Sequence, residues 1–233
     1  MSGPLLFIAA ERRECLPFVS RWESSRPVAL PVHWAREGLW KGREVVAIAN
    51  GAGAERARAA VEAVPSAVAV CNIGFCGALV EWLAPGDVFV ADSVLSGERT
   101  WLARAPARQP AVPVARSGML ISIGRIALTA REKNDLAKTG ASAVEMEAAG
   151  AARASESLNI PFYCIRAVSD LRGEDFANDF NRCLMPDGRF DIVSLVLRAF
   201  SSPVRRFGEL IRLSRRTALA SNNLGEFLGN CSF

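Results

Sequence analysis

The stretch "AVEMEAAGAARASE" (143–156) sets Glu145 and Glu147 on either side of Met146, at the head of an alanine-rich run that reads as a buried helix. Carboxylates in apolar surroundings need a partner or a task. Other acids follow apolar runs elsewhere in the chain: Glu11 and Glu14 come after "LLFIAA" (5–10), and Asp170 comes after "FYCIRAVS" (162–169). Acids contributed by separate segments can divide acid–base work, one activating a water, a second holding a diol and a third protonating a leaving group. Cleaving a sugar from a heterocyclic base calls for that division, because positive charge builds on the sugar and negative charge on the base.

The elements that must position these acids are visible as apolar runs without alternation. Besides 5–10 and 162–169 they are "EVVAIAN" (44–50), "AVAVCNIG" (67–74), "DVFVADSVL" (87–95) and "MLISIG" (119–124). Runs of this kind fit strands buried on both faces. Helical patterns lie between them at 54–64, 129–139, 147–158 and 191–200, with Thr129 and Glu132 spaced as a capping box and Lys138 near the end of that helix. The class is α/β, and strand–helix alternation suggests a largely parallel sheet. Ligands then collect at the carboxyl ends of the strands, where the acids and the glycines of "NGAG" (50–53) and "NIGFCGA" (72–78) fall. The segment 104–118, rich in Pro, Ala and Arg, reads as a long irregular connection, and no internal repeat is found.

Composition narrows the function classes. The chain has 233 residues, 50% hydrophobic, with a net charge of +4, which suits one compact domain and does not call for nucleic acid. Its six cysteines lack CxxC spacing and fall largely in apolar runs, and His33 is the single histidine. A Cys/His zinc site is therefore not expected, and neither metal nor cofactor is assigned. The opening "MSGPLLFIAAERREC" is too short in apolar residues for a signal peptide, and no run reaches the roughly 18 apolar residues of a membrane span. A cytoplasmic location is expected.

The ordered pattern "AVEMEAAGAARASESLNIPFYCIRAVSD" (143–170) resembles the purine nucleoside phosphorylase/uridine phosphorylase family, above all its methylthioadenosine/S-adenosylhomocysteine nucleosidase branch. "NIGFCGALVEWLAPGDVFVADSV" (72–94) resembles that family's glycine-rich strand-loop and G-D-V strand. The resemblance implies an α/β domain with a central mixed, twisted and partly barrel-like sheet flanked by helices. Carried over residue by residue, it places Asp170 as the acid at the purine nitrogen and Ser169 as the residue that orients it. It places Glu147 on the ribose diol, with Met146 against the sugar face and Glu145 beside them, and Glu14 as the activator of water. Asp170 would receive its acidic proton either from a dry apolar pocket or together with the substrate. Read without the motif, Asp170 could cap a helix, Glu14 could pair with Arg12 or Arg13, Met146 could be core, and "GAG" (51–53) could be either a tight turn or an anion cradle.

Two reactions remain open. A phosphorylase would take inorganic phosphate as co-substrate and needs cationic and hydroxyl donors for it, whereas hydrolysis needs a base. Asn72 and Phe75 stand where the family's phosphorylases carry an arginine and a Ser or Thr, and Glu14 would repel a phosphate dianion, so water is the expected nucleophile. The segment "SIGRIALTAREK" (122–133) resembles the hopanoid-associated phosphorylase branch, which is thought to remove adenine from an adenosyl-hopane lipid. Ile126 and Ala127 are then candidates for backbone and apolar contact with the base, and Phe180 for a stacking lid.

The expected organisation is a catalytic domain over 1–200 and a basic helical tail over 201–233. Arginines 198, 205, 206, 212, 215 and 216 against Glu209 alone suggest an amphipathic helix that rests either on an anionic membrane surface or on protein. The last residues, "ALASNNLGEFLGNCSF", either extend that helix or are loose. The expected function is cleavage of the N-glycosidic bond of an adenine nucleoside with a modified 5′ group. The rivals are phosphorolysis of the same substrates and a non-catalytic nucleoside-binding protein. A homodimer is implied by the resemblance alone.

Overall fold

Each non-alternating apolar run of the sequence forms a strand in the computed structural model, which describes residues 3–233. Met1 and Ser2, which open the segment considered for a leader, lie outside the described residues. In chain order the elements are β1 (Leu5–Ala9), α1 (Arg12–Val19), β2 (Ser24–Pro27), β3 (Trp34–Trp40), β4 (Arg43–Ala49), α2 (Ala54–Glu62), β5 (Ala69–Ala78), β6 (Val88–Ser96) and β7 (Arg99–Leu102). They continue with β8 (Ala115–Ser122), α3 (Ala130–Ala137), β9 (Ala143–Glu145), α4 (Ala148–Ser157), β10 (Phe162–Asp170), a single helical turn at Phe180–Cys183, α5 (Ile192–Ala199) and α6 (Pro203–Asn230).

The strands form one mixed sheet in the order β10-β6-β8-β9-β5-β1-β4-β3-β2, with β7 on β6 and a further pairing of β10 with β5. That last pairing closes β5, β10, β6, β8 and β9 into a ring, while β1, β4, β3 and β2 extend from β5 as an open sheet. The architecture is the mixed, partly barrel-like one that the resemblance implied. The simpler expectation of a largely parallel sheet is corrected: β1, β4, β5 and β10 run parallel, but β2-β3-β4 is an antiparallel meander and β10–β6 and β5–β9 are antiparallel. The outer strands were missed because β2 is exposed along its length and β3 is largely half-buried, so neither carries a continuous apolar run.

Helices cover both faces. On one, the small residues of α2 and α4 pack with Leu6, Ile48, Val70 and Cys164. On the other, Phe18 of α1 meets Ala220, Leu224, Phe227 and Leu228 of α6, so the closing residues extend the helix and fill core. Gly225 permits that approach, since a Cβ there would lie 2.7 Å from the Pro17 carbonyl carbon. The six cysteines are free and buried, behaving as small apolar side chains. Alanine serves α4 twice, as the best helix former and as a side chain small enough for close helix packing.

Gly150 is the tightest point of that packing: a Cβ would sit 1.8 Å from the Ala54 carbonyl oxygen at the start of α2. A backbone atom cannot swing aside, so Gly150→Ala should separate α2 from α4 and lower stability by about 1–3 kcal/mol, as overpacking of a dense core does. Urea unfolding of the two proteins measures this, and an unchanged midpoint would contradict the packing described.

Candidate active site

At the end of β10 the register against β5 slips between Val168 and Asp170. Such a bulge re-aims the side chains around it, and both Ser169 and Asp170 line a cavity of about 360 Å³. Ser169 Oγ lies 2.7 Å from Asp170 Oδ1, to which it donates. Gly77 leaves room for the carboxylate, because a Cβ would stand 2.8 Å from Oδ2.

The other carboxylate oxygen meets a residue that the sequence reading missed. Lys133 Nζ donates to Asp170 Oδ2 at 2.5 Å and to the Leu171 carbonyl at 2.7 Å. Lys133 is fully buried, with its ammonium 4.9 Å from the centre of the Phe176 ring. Asp170 is thus one half of a buried ion pair; the sequence left its proton source open between a dry apolar pocket and the bound substrate. The capping box holds the lysine in place: Thr129 Oγ1 accepts from the Glu132 amide at 3.1 Å, and Glu132 Oε2 accepts from the Leu128 and Thr129 amides. The available signal was a lysine in the first turn of a well-capped helix, within the segment already singled out for base contact.

A second buried cation organises the sugar side. Arg166, in mid-β10, has no exposure. It donates to Glu145 Oε2, to Asn72 Oδ1 and, at 3.2 Å, to the Ile73 carbonyl, and its Nη1 lies 3.6 Å from Glu147 Oε2. Burial opposes the charge on Arg166, and Glu145 and Glu147 more than offset that, holding the guanidinium protonated. Glu145 is largely consumed by structure, since it also accepts from the Glu147 and Ala148 amides at the start of α4. An arginine inside an otherwise apolar strand was the clue in the sequence.

Glu147 and Glu14 face the same cavity as Asp170. Glu147 Oε1 accepts from the Gly53 amide at 3.0 Å. The "GAG" turn therefore directs one amide at a carboxyl of the protein itself. Burial, followed by repulsion from Glu145, pushes the Glu147 carboxyl up to about 8. Glu14 is buried in the first turn of α1, accepting from the Glu11 amide at 2.7 Å and the Phe75 amide at 2.9 Å. Burial and then Glu11 push it up to about 7. Its pairing with Arg12 or Arg13 does not occur; Arg13 instead holds Glu11, with Nε 2.5 Å from Oε2. Gly74 makes this crossing feasible, as a Cβ would lie 2.7 Å from both Arg166 Nη1 and Glu14 Oε1.

Met146, Phe75, Ile126, Ala127 and Phe180 complete the expected set on the cavity wall. The Ile126 amide donates to Asn181 Oδ1 at 2.8 Å and its carbonyl accepts from Asn181 Nδ2 at 2.9 Å, so both backbone groups of Ile126 are engaged by that side chain. Asn181 belongs to the same helical turn as Phe180, which stacks edge-on against Phe176 with ring centres 5.3 Å apart. Further out the wall is apolar, built by Phe190, Leu195, Leu210 and Leu213. Among the described residues, no cluster of His, Cys, Asp or Glu is arranged to hold a metal ion.

Comparison with known proteins follows the same lines. Residues 99–185 match the family described as the phosphorylase superfamily. Over 176 residues the chain is 28% identical to the 5′-methylthioadenosine/S-adenosylhomocysteine nucleosidases of Staphylococcus aureus strains JH9 and Newman, an alignment covering 63% of this chain and 77% of theirs. Among solved structures it resembles in fold a mutant nucleosidase of Helicobacter pylori with 5′-methylthioadenosine in the active site, at a TM-score of 0.73 and 14% identity, covering 98% of this chain and 97% of that one. It also resembles the Neisseria meningitidis nucleosidase in complex with methylthio-immucillin-A, at a TM-score of 0.69 and 21% identity, covering 95% and 97%.

Two measurements test the electrostatics of the site. Removing one member of a buried ion pair strands the other, so Lys133→Met should cost about 3–5 kcal/mol, and Lys133→Met combined with Asp170→Asn should recover most of it. Additive losses in denaturant unfolding would mean the two side chains do not interact. The raised carboxyl of Glu147 stabilises the fold fully below the unfolded value of 4.5, and that contribution is lost as pH rises through about 8. At about pH 9, Glu147→Gln should therefore melt at least ~2 °C above the wild type, with the gap closing towards about pH 5.

Proposed function

We propose that the chain, which matches the phosphorylase superfamily over residues 99–185, is an N-glycosidase that hydrolyses an adenine nucleoside carrying a modified 5′ group. The observation that carries this reading is the shared cavity, which collects Glu14 from α1, Glu147 from the start of α4 and Asp170 from the end of β10. The curated relatives bear the name of nucleosidases for methylthioadenosine and S-adenosylhomocysteine, and the apolar outer wall of the cavity suits an apolar 5′ substituent.

On this reading, water attacks the anomeric carbon as the carbon–nitrogen bond to the base breaks, and the water's proton goes to Glu14. Glu147 accepts hydrogen bonds from the ribose diol, and Met146 packs against the sugar. Lys133 Nζ first passes a proton to the Asp170 carboxylate, the resulting acid gives that proton to the departing purine nitrogen, and the lysine regains one from solvent while Glu14 releases the one it took from water. Lys133 is a positioning and proton-supplying residue that acts through Asp170.

Water is favoured over phosphate because the cations near the nucleophile are engaged. Arg166 is held by Glu145, Asn72 and the Ile73 carbonyl. Arg13 is paired with Glu11 and lies 5.5 Å from the centre of the Phe75 ring. A phosphate dianion would also face Glu14 and Glu147 with no free donor among these groups.

Incubation with adenine nucleosides bearing methylthio to long apolar 5′ groups, with and without inorganic phosphate, should release adenine and a free sugar at rates independent of phosphate. Strict dependence on phosphate would replace hydrolysis by phosphorolysis, and no release from any member of the panel would favour a binding protein. A base must be unprotonated to work, so kcat/KM should rise with pH through about 7 as Glu14 ionises. Glu14→Gln should remove that limb and lower kcat by about 10²–10⁴, the usual share of a general base.

A further inference from the structure

Helix α5 carries apolar side chains on two opposite faces, with Arg198 its one charged residue. Leu195 and Ala199 point inward and are buried. Val193, Val196, Leu197 and Phe200, spaced along the opposite face, are exposed, with Val193 at 69%, Leu197 at 64% and Phe200 at 64%. A contiguous apolar patch on a surface marks a contact site. The first turns of α6 continue the patch through Val204, exposed to 93%, and Ile211, exposed to 55%. The two helices are clasped by Phe200 on Phe207, with ring centres 5.2 Å apart.

The charges beside this face identify the partner. Arg198, Arg205, Arg212 and Arg215 are exposed, and among the described residues none of them lies in an ion pair. The neighbouring cations are spent differently: Arg206 donates to the Arg198 and Ala177 carbonyls, and Arg216 is paired with Glu174 at 2.6 Å. Of the nearby acids, Glu209 is buried and holds the Ala177 and Asn178 amides, and Asp191 caps α5 through Ser194. The surface is therefore apolar with a fringe of unpaired guanidinium groups. A second copy of the chain placed on this face about a two-fold axis would set like charges against one another. Among the described residues, no helix is long and apolar enough to cross a membrane.

We propose that the α5–α6 hairpin docks on an anionic lipid bilayer, with Val193, Leu197, Phe200 and Val204 entering the interface and the free arginines meeting lipid phosphates. This moves the expected membrane contact from the closing helix as a whole to α5 and the first turns of α6, because the second half of α6 is committed to the core. Basic residues near an anionic leaflet and an apolar face below them are the two components of interfacial attachment. Docking would also bring the cavity's apolar wall to the bilayer, since Ile192 and Leu195 of the same helix line it.

Co-sedimentation of the whole protein with phosphatidylcholine vesicles, and with vesicles containing about 30% phosphatidylglycerol, tests this directly and needs no activity. Binding should be strong only to the anionic vesicles and should weaken with added salt. Each of Arg205→Gln and Arg212→Gln should reduce the partition coefficient about fivefold. Val193→Ser combined with Leu197→Ser should abolish binding while the melting temperature and adenine release from a small nucleoside stay unchanged. Equal binding to both vesicle types, or to neither, would overturn the proposal. So would a wild-type dimer in analytical ultracentrifugation that Leu197→Ser converts to monomer, which would assign the face to self-association. The vesicle-binding and ultracentrifugation outcomes do not depend on the hydrolytic reading, which stands or falls on adenine release.

Discussion

The buried guanidinium of Arg166 is the constraint on which the rest of the site depends. Glu14, Glu145 and Glu147 are all buried within the same small volume, and carboxylates so placed repel one another and lose their hydration. One fixed positive charge at their centre, donating to Glu145 and lying 3.6 Å from Glu147, allows them to coexist. Amides supply the remainder: Glu11 and Phe75 to Glu14, Gly53 to Glu147, and Glu147 and Ala148 to Glu145. The offset is incomplete, which leaves Glu14 and Glu147 raised while Arg166 stays charged. A carboxyl left in that condition is well suited to exchange protons near neutrality.

The sheet explains how groups so distant in sequence meet. Strand β5 pairs with β1 on one side and β10 on the other, and its end reaches β9. It therefore belongs both to the closed ring and to the open extension, and the acids that follow β1, β9 and β10 gather around its last residues. Gly74 and Gly77 lie on this stretch because side chains pass directly over it, Arg166 and Glu14 across the first and Asp170 across the second. The glycines of "NIGFCGA" are an adaptation to what crosses the strand.

The two ends of the cavity are built from different materials. Its inner part is polar, formed by rigid strand ends and helix starts. Its outer part is apolar, formed by the Phe180 turn, α5 and the first half of α6. Links between the two pass through α6, where Glu209 holds the Ala177 and Asn178 amides and Arg216 holds Glu174. The loop that carries Phe176 and Phe180 is thus anchored to the helix that also bears the free arginines. Asn181 closes the Ile126 backbone groups from the same loop, so a base that bonds to them must displace that side chain.

Much of this was legible in the order of the residues. Continuous apolar runs marked the buried strands because a strand covered on both faces has no polar side to alternate with. Thr129 and Glu132 marked the start of α3 because a capping box is a local arrangement, and the acids bracketing Met146, together with Ser169 and Asp170, carried a pattern specific enough to suggest their roles. Tertiary structure decided what local order cannot encode. That Lys133 meets Asp170, that Arg166 holds Glu145, Asn72 and the Ile73 carbonyl, that Asn181 fills the Ile126 backbone and that half of α6 is core while α5 is bare all rest on contacts between residues remote in sequence. Their energies come from burial and from partners that exist only once the ring of strands has closed.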